Sequence, residues 1–183
     1  MAIRFARESD IPGMLAIYGP YVETTAYSFE YTVPTEKEFS RRLQSYTAQF
    51  PWLVWEEDGH LLGYAYASAP FSRAAYRWCA EVSAYIRPEA HGRGIGRQLY
   101  DALEQLLWRQ GYQVIYALIS TENTGSVAFH EKLGYQTVCV MPDCGIKFGR
   151  RVGILYMEKR SKTVELPTEF PKPWTEIVES DRK

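Results

Sequence analysis

Arg87-Pro-Glu-Ala-His91-Gly92-Arg93-Gly94-Ile95-Gly96-Arg97, followed by Gln98-Leu-Tyr-Asp-Ala-Leu-Glu-Gln-Leu-Leu-Trp-Arg-Gln110-Gly111, decides the fold. Leu99, Ala102, Leu103, Leu106 and Leu107 make one apolar stripe, which predicts a helix from about Arg97 to Gln110 with Gly111 as its stop. Upstream, Cys79–Ile86 alternates. Ala80, Val82, Ala84 and Ile86 share one face, and Glu81, Ser83 and Tyr85 the other, as in a strand. Between strand and helix lie Gly92, Gly94 and Gly96. Alternating glycines let a backbone approach a ligand and turn its N–H groups inward, and the helix start adds unpaired N–H groups and partial positive charge. This is the design of a pyrophosphate cradle, and Arg87, Arg93 and Arg97 add charge to it. A Walker loop would need Lys-Ser or Lys-Thr after the glycines, and a dinucleotide fingerprint would need glycine where Arg97 or Leu99 stands. The plain alternative is a Gly-rich connector with solvated arginines. The strand before and the helix after weigh against it.

Working outward, Ile3–Ala6 reads as a short strand. Ser9 then caps a helix that carries Pro12 in its first turn and Ile11, Met14, Leu15 and Tyr18 on one face. Thr35 and Glu38 form a capping box ahead of a helix lined by Phe39, Leu43 and Tyr46. Trp52–Glu57 and Leu61–Ser68 flank Asp58-Gly59 as a hairpin. Downstream, Gln113–Ile119 reads as a buried central strand, Thr124–Leu133 as a helix ended by Gly134, and Gln136–Met141 and Arg151–Glu158 as the last strands. The expected fold class is α/β, or α+β: one mixed, mostly antiparallel sheet flanked by helices. Residues 1–160 form the domain, and 161–183, with Pro167, Pro171 and Pro173, form a tail that packs on it or extends from it.

The chain has 183 residues, enough for one domain with its own core. Twenty-one Lys and Arg against 22 Asp and Glu give a net charge of -1, without the basic surplus of a nucleic-acid binder. Cys79, Cys139 and Cys144 have no metal-type spacing and are odd in number, which fits a reducing compartment better than a disulfide framework. The three histidines are far apart in sequence, so no metal site is expected. No signal-peptide core opens the sequence, and the longest apolar run, Val114–Ile119, is too short to span a bilayer. A cytoplasmic protein is expected.

The motif His91-Gly-Arg-Gly-Ile-Gly96 resembles the acetyl-CoA loop of the GNAT superfamily of N-acetyltransferases, usually Q/R-x-x-G-x-G/A, with His91 a departure at its first position. Independently, Asn123-Thr-Gly-Ser126-Val-Ala-Phe-His130-Glu-Lys-Leu-Gly134-Tyr135 resembles that superfamily's N-x-x-[AS]-x-x-x-[YH]-x-x-x-G-[FY] segment. Alone, Asn123 and His130 would read as a helix cap and a surface histidine; two motifs in the right order argue otherwise. Within the superfamily, the chain resembles the phosphinothricin acetyltransferases over nearly its whole length. The matching stretches are Glu23-Thr24-Thr25 with Phe29, Phe50–Val54, Gly63–Ala67, Arg73–Glu81, Gly145–Arg150 and Thr175-Glu176-Ile177.

The resemblance implies a GNAT-like fold, acetyl-CoA as cosubstrate and a small amine acceptor of the phosphinothricin or methionine sulfoximine type. It also implies a homodimer. Cofactor contacts fall to Ala84, Tyr85, Ile86, His91, Gly92, Arg93, Gly94, Ile95, Gly96, Arg97, Asn123 and Ser126. Glu81 is the candidate base. It lies five residues before Ile86, roughly 16 Å at ~3.3 Å per residue, so an arm laid along the strand from the cradle would end near it. The plain alternative is a carboxylate paired with Arg73 or Arg77. Backbone N–H groups of Ala84–Ile86 would receive the developing oxyanion, and His130 would protonate the departing thiolate. Arg73 would anchor an acceptor carboxylate through its two-pronged guanidinium, with Phe29, Tyr31 and Tyr76 as walls. The family's Lys before that Arg is missing from Phe71-Ser72-Arg73; Lys147 and Arg150, including those of a partner subunit in the dimer the family often forms, are the candidate substitutes. The alternatives are acetylation of a protein N-terminus, a lysine or a polyamine, and a non-catalytic acetyl-CoA-binding regulator.

Overall fold

The computed structural model describes residues 2–163 and 165–180. In chain order the elements are β1 (Ala2–Phe5), α1 (Ile11–Thr24), α2 (Glu36–Thr47), β2 (Trp52–Glu57), β3 (His60–Ser68), β4 (Cys79–Ile86), α3 (Ile95–Gln110), β5 (Val114–Ser120), α4 (Thr124–Lys132), β6 (Gln136–Lys147), β7 (Arg150–Arg160) and α5 (Trp174–Ser180). The strands form one sheet in the order β1-β2-β3-β4-β5-β7-β6. Every neighbouring pair is antiparallel except β4 with β5.

Local chemistry accounts for most of these boundaries. The Thr35–Glu38 capping box forms, with Glu38 N donating to Thr35 Oγ1 and Thr35 N to the Glu38 carboxylate. Asp58 and Gly59 both take positive φ, 52° and 77°, the pair of left-handed conformations that a two-residue hairpin requires. Ser9 does not cap α1. It lies in a 3-10 turn over Glu8–Asp10, and Asp10 stands at the cap instead, gripped by the Arg4 guanidinium at 2.7 and 2.8 Å and by Arg7 N at 2.7 Å. The buried stripe of α1 runs through Ile17 and Val22, while Leu15 is only half-buried. Helix α3 starts two residues earlier than its apolar stripe suggests, because Gly94 takes φ 78° and closes the loop directly onto Ile95.

The last two strands are longer than expected. A register shift between Met141 and Gly145 absorbs Pro142 at the sheet's outer edge, where a missing N–H breaks no ladder. Most of β6 is exposed. The tail packs on the domain through Trp174, whose ring lies 4.1 Å from that of Phe5 and whose Nε1 donates to Thr47 O. Lys172 and Gln110 also exchange hydrogen bonds, and the short α5 follows. No described helix is long and apolar enough to cross a membrane.

The two faces of the sheet bury different sets. α1 and α2 cover Trp52, Val54 and Tyr64. α3 covers Leu53, Ala65, Ala80, Val82, Ile115 and Ala117. The site arises where this arrangement opens. β4 and β5 are paired only at Cys79↔Val114, Ala80↔Ile115 and Glu81↔Tyr116, and then part.

Candidate active site

Beyond Glu81 the β4 backbone keeps its β3 partner and loses β5. Arg87 N donates to Leu62 O on the β3 side. Strand alternation therefore turns the polar groups of Ala84 and Ile86 toward the opening. One of these is already engaged: Ile86 O accepts from Tyr21 Oη at 2.5 Å and from His91 Nε2 at 3.1 Å. A carbonyl only accepts, so His91 carries its proton on Nε2, 3.0 Å from Tyr21 Oη. The departure at His91 thus has a local role: it ties the cradle to the end of β4.

A cleft of about 650 Å³ lies between this strand end, the glycine loop and α4. Ala84, Ile86, His91, Gly92, Gly94, Ile95, Gly96, Arg97, Asn123, Ser126 and His130 all line it. Gly92 and Gly94 have φ of 76° and 78°, and no side chain caps the α3 N-terminus. Its first N–H groups are left for a ligand, the requirement of a pyrophosphate cradle. A Cβ on Gly92 would meet nothing within 4 Å, and one on Gly94 only the tip of Gln98, so the space in front of both is open. These residues fit a coenzyme A pyrophosphate.

Arg93 and Tyr85 depart from the expected set. The Arg93 guanidinium turns away to the Glu57 carboxylate, at 2.9 and 2.7 Å, because the hairpin end brings a carboxylate within reach. Tyr85 packs edge-on against Tyr18 and Tyr21 and lines a smaller chamber of about 80 Å³ that continues the cleft through the β4/β5 gap. Arg87 donates to Leu61 O, and Arg97 lies 3.6 Å from Asp101.

Glu81 stands at the fork, opposite Ser68 and Tyr116. Among the described residues no hydrogen bond or ion pair holds its carboxylate. Burial raises its pKa above the usual carboxylate range, as expected of a charge taken from water without a partner. The expected alternative, a pair with Arg73 or Arg77, does not form among the described residues: Arg77 lies over the Phe170 ring at 4.9 Å, and Arg73 makes no side-chain cap bond. Arg73 stands on a segment whose Phe71 packs on Tyr76 and on Tyr116, the residue across from Glu81.

His130 is only 4% exposed. Its Nδ1 lies 2.8 Å from Ser126 O, so Nδ1 carries the proton, and Nε2 accepts from Tyr100 Oη at 2.9 Å. Burial lowers its pKa and keeps the ring neutral. Asn123 caps α4 by accepting from Ser126 N at 3.0 Å.

Phe29, Tyr31, Arg73 and Tyr76 line neither cavity. Phe29 lies against Gly145, its ring filling the place of a Cβ there, and Tyr31 Oη donates to Ile146 O. Lys147 is 3% exposed and donates to Ser28 O at 2.7 Å, and Arg150 pairs with Glu122. Within the chain both cations are already engaged by these partners. Sequence reading missed Tyr21, Tyr27, Tyr100 and Phe129, which line the cleft. Only Phe129, inside the second motif, carried a signal. Among the described residues no cluster of three or more His, Cys, Asp or Glu could hold a metal.

Strand order, splayed central pair and glycine cradle together define an acyl-CoA-dependent transferase, and residues 3–153 match the family described as acetyltransferase (GNAT) domain. The chain belongs to that family. It is 38% identical over 162 residues to the phosphinothricin N-acetyltransferase of Alcaligenes faecalis, covering 86% of this chain and 81% of that one. It is 35% identical over 163 residues to the L-methionine sulfoximine/L-methionine sulfone acetyltransferase of Salmonella typhimurium, covering 86% and 93%. Among solved structures, a GNAT superfamily phosphinothricin acetyltransferase from Sinorhizobium meliloti in complex with AcCoA superposes with a TM-score of 0.89 at 34% identity, covering 95% of this chain and 96% of that one.

Proposed function

We propose that this protein transfers the acetyl group of acetyl-CoA to the α-amine of a small amino-acid-like acceptor. The observation that carries the reading is the unpaired Glu81 carboxylate at the point where β4 and β5 part, one opening away from the glycine cradle. The names of the relatives support the acceptor class.

The cradle's backbone N–H groups hold the pyrophosphate, and the β4 edge guides the arm to the gap. An α-amine has a pKa near ~8, so it must lose a proton before or as it attacks. Glu81, with its raised pKa, is a carboxylate of suitable strength for that work, directly or through water. Backbone N–H groups at Ala84 and Ile86 face the opening and stabilise the charge that develops on the carbonyl oxygen.

His130 serves differently from the first expectation. Its one proton is held by Ser126 O, and a second on Nε2 would charge a buried ring. We assign it the positioning of Tyr100. The thiolate takes its proton from solvent, as an ordinary thiol of pKa about 8.5 can. Arg73 receives the acceptor carboxylate, with Phe71 and Tyr76 beside it and Phe29 and Tyr31 at the outer rim.

Residues 1–160 carry the transferase and the tail braces it, a division that the Trp174 contacts support. The protein works as a homodimer. The exposed Val138, Val140 and Met141 on edge strand β6 support this, since an apolar edge invites a second strand. It resides in the cytoplasm, where the exposed Cys139 and Cys144 stay reduced.

The test is an acceptor screen that follows thiol release from acetyl-CoA. Turnover with free amino acids and their side-chain analogues, and none with polyamines or peptides, is expected. Turnover only with peptides or polyamines would move the acceptor class, and none with any amine would favour a binding module.

A further inference from the structure

We infer that Tyr100 sets the length limit on the acyl group this enzyme transfers. The inference rests on the acetyl-transfer reading above and concerns the wall behind the reacting group. Seven residues line both cavities, Tyr100 and His130 among them. The smaller chamber adds residues of β4 and β5, so it lies in the β4/β5 gap, where the end of a thioester arm must sit. At about 80 Å³ it is far smaller than the 650 Å³ cleft that it continues, a scale that suits a short acyl group rather than a long one.

A longer chain has two ways to go. Toward Glu81 and Ser83 it would occupy the path of the incoming amine. Toward α3 it meets Tyr100, with Val82, Ala117 and Ile119 around it. That wall does not yield. Tyr100 is 1% exposed, its hydroxyl is fixed on His130 Nε2 at 2.9 Å, and its ring stands edge-on to Phe129 and His130 at 5.3 and 5.2 Å. His130 is itself fixed from its other nitrogen by Ser126 O. The hydrogen-bonded pair thus acts as a buttressed stop.

The experiment uses the full chain and compares acetyl-, propionyl- and butyryl-CoA. Calorimetry without acceptor reads affinity, and kcat/KM with one responsive acceptor reads transfer. The native protein should favour acetyl over propionyl by about 10- to 200-fold in kcat/KM, the usual worth of one methylene in a fitted pocket, with weaker binding of the longer thioesters. Tyr100→Ala should bring both ratios below about tenfold, with Tyr100→Leu as the second variant should the alanine protein not fold. Tyr100→Phe keeps the ring and loses only its tie to His130, so its preference should fall between those of the native and alanine proteins. The inference is overturned if the native protein binds and turns over all three alike, or if shortening residue 100 leaves the ratios unchanged. Acetyl transfer without length preference defeats this inference alone; no acyl transfer at all defeats the reading beneath it as well.

Discussion

The proposed cofactor side and the proposed acceptor side of this site are built from different material. On the cofactor side the working groups are main-chain: the N–H groups of a glycine loop and a helix start, and the open edge of one strand. They come from residues 84–97 and one short helix. On the acceptor side, as proposed, they are side chains, Glu81 at the strand fork with Arg73 and Phe29 beyond the two cavities, carried by three distant segments. The first kind of site is written in a contiguous motif, since glycine spacing alone shapes it. The second exists only after the chain has folded, because loops and strand pairing decide which side chains meet.

The hardest blow to this contrast falls at Gly94. Its positive φ and the open space before it mean that Gly94→Trp sends an indole into the cleft rather than into the protein. The left-handed conformation costs roughly 1–2 kcal/mol in a non-glycine residue, which a domain of this size survives. Calorimetry should find no measurable binding of acetyl-CoA, while circular dichroism keeps its native shape. Retained affinity would mean that the ligand lies elsewhere than on this backbone.

The same division explains what could be read from the sequence. The capping box at Thr35, the Asp58-Gly59 turn and the glycine loop that runs into an uncapped helix start are local instructions, and each of these local geometries forms. Ser9 misled because the ion pair that selects Asp10 comes from Arg4, on the preceding strand. The turn of Arg93 to Glu57 and the capture of Lys147 by Ser28 O span 36 and 119 residues. No window of sequence contains both partners. Tyr100 sits on an ordinary amphipathic helix, and only the fold shows that its hydroxyl meets His130.

On the acceptor side the strongest single effect belongs to Glu81. Glu81→Gln keeps the shape and removes the proton acceptor. The rate at saturating amine should fall about 10²- to 10⁴-fold at neutral pH, with part recovered as the pH rises and more amine is already neutral. The native profile of kcat/KM should climb through a pKa above the ordinary carboxylate range, and that limb should vanish in the variant. An undiminished rate would hand the proton to water alone.

Arg73 is exposed, and in the proposed reading it meets the acceptor carboxylate. Arg73→Ala should raise KM for free amino acids by about 10- to 100-fold, from the roughly 1.5–3 kcal/mol of a charged hydrogen bond, and leave their amides little changed. Arg73→Lys should recover part of the loss, lacking the two-pronged fork. Equal losses for acids and amides would make Arg73 structural and weaken the amino-acid reading.

The smallest effect separates the two sides by stability. A backbone cradle asks nothing of the folded state that its glycines do not already supply, whereas an unpaired, half-buried carboxylate is a burden on it. Glu81 has a raised pKa in the folded chain and an ordinary one when unfolded. Below the ordinary value both states hold the proton and the burden is absent. As pH rises the unfolded chain ionises first, so folded stability falls through the window above 4.5 and levels off beyond the folded pKa. Glu81→Gln should therefore be the more stable protein at neutral pH, by about 1 kcal/mol for an uncompensated polar group. That gain should shrink toward zero in urea titrations at pH 4 and below. A gain that stays constant across pH would arise from packing rather than charge, and Glu81 would then stand in the fold without the strain that its proposed work requires.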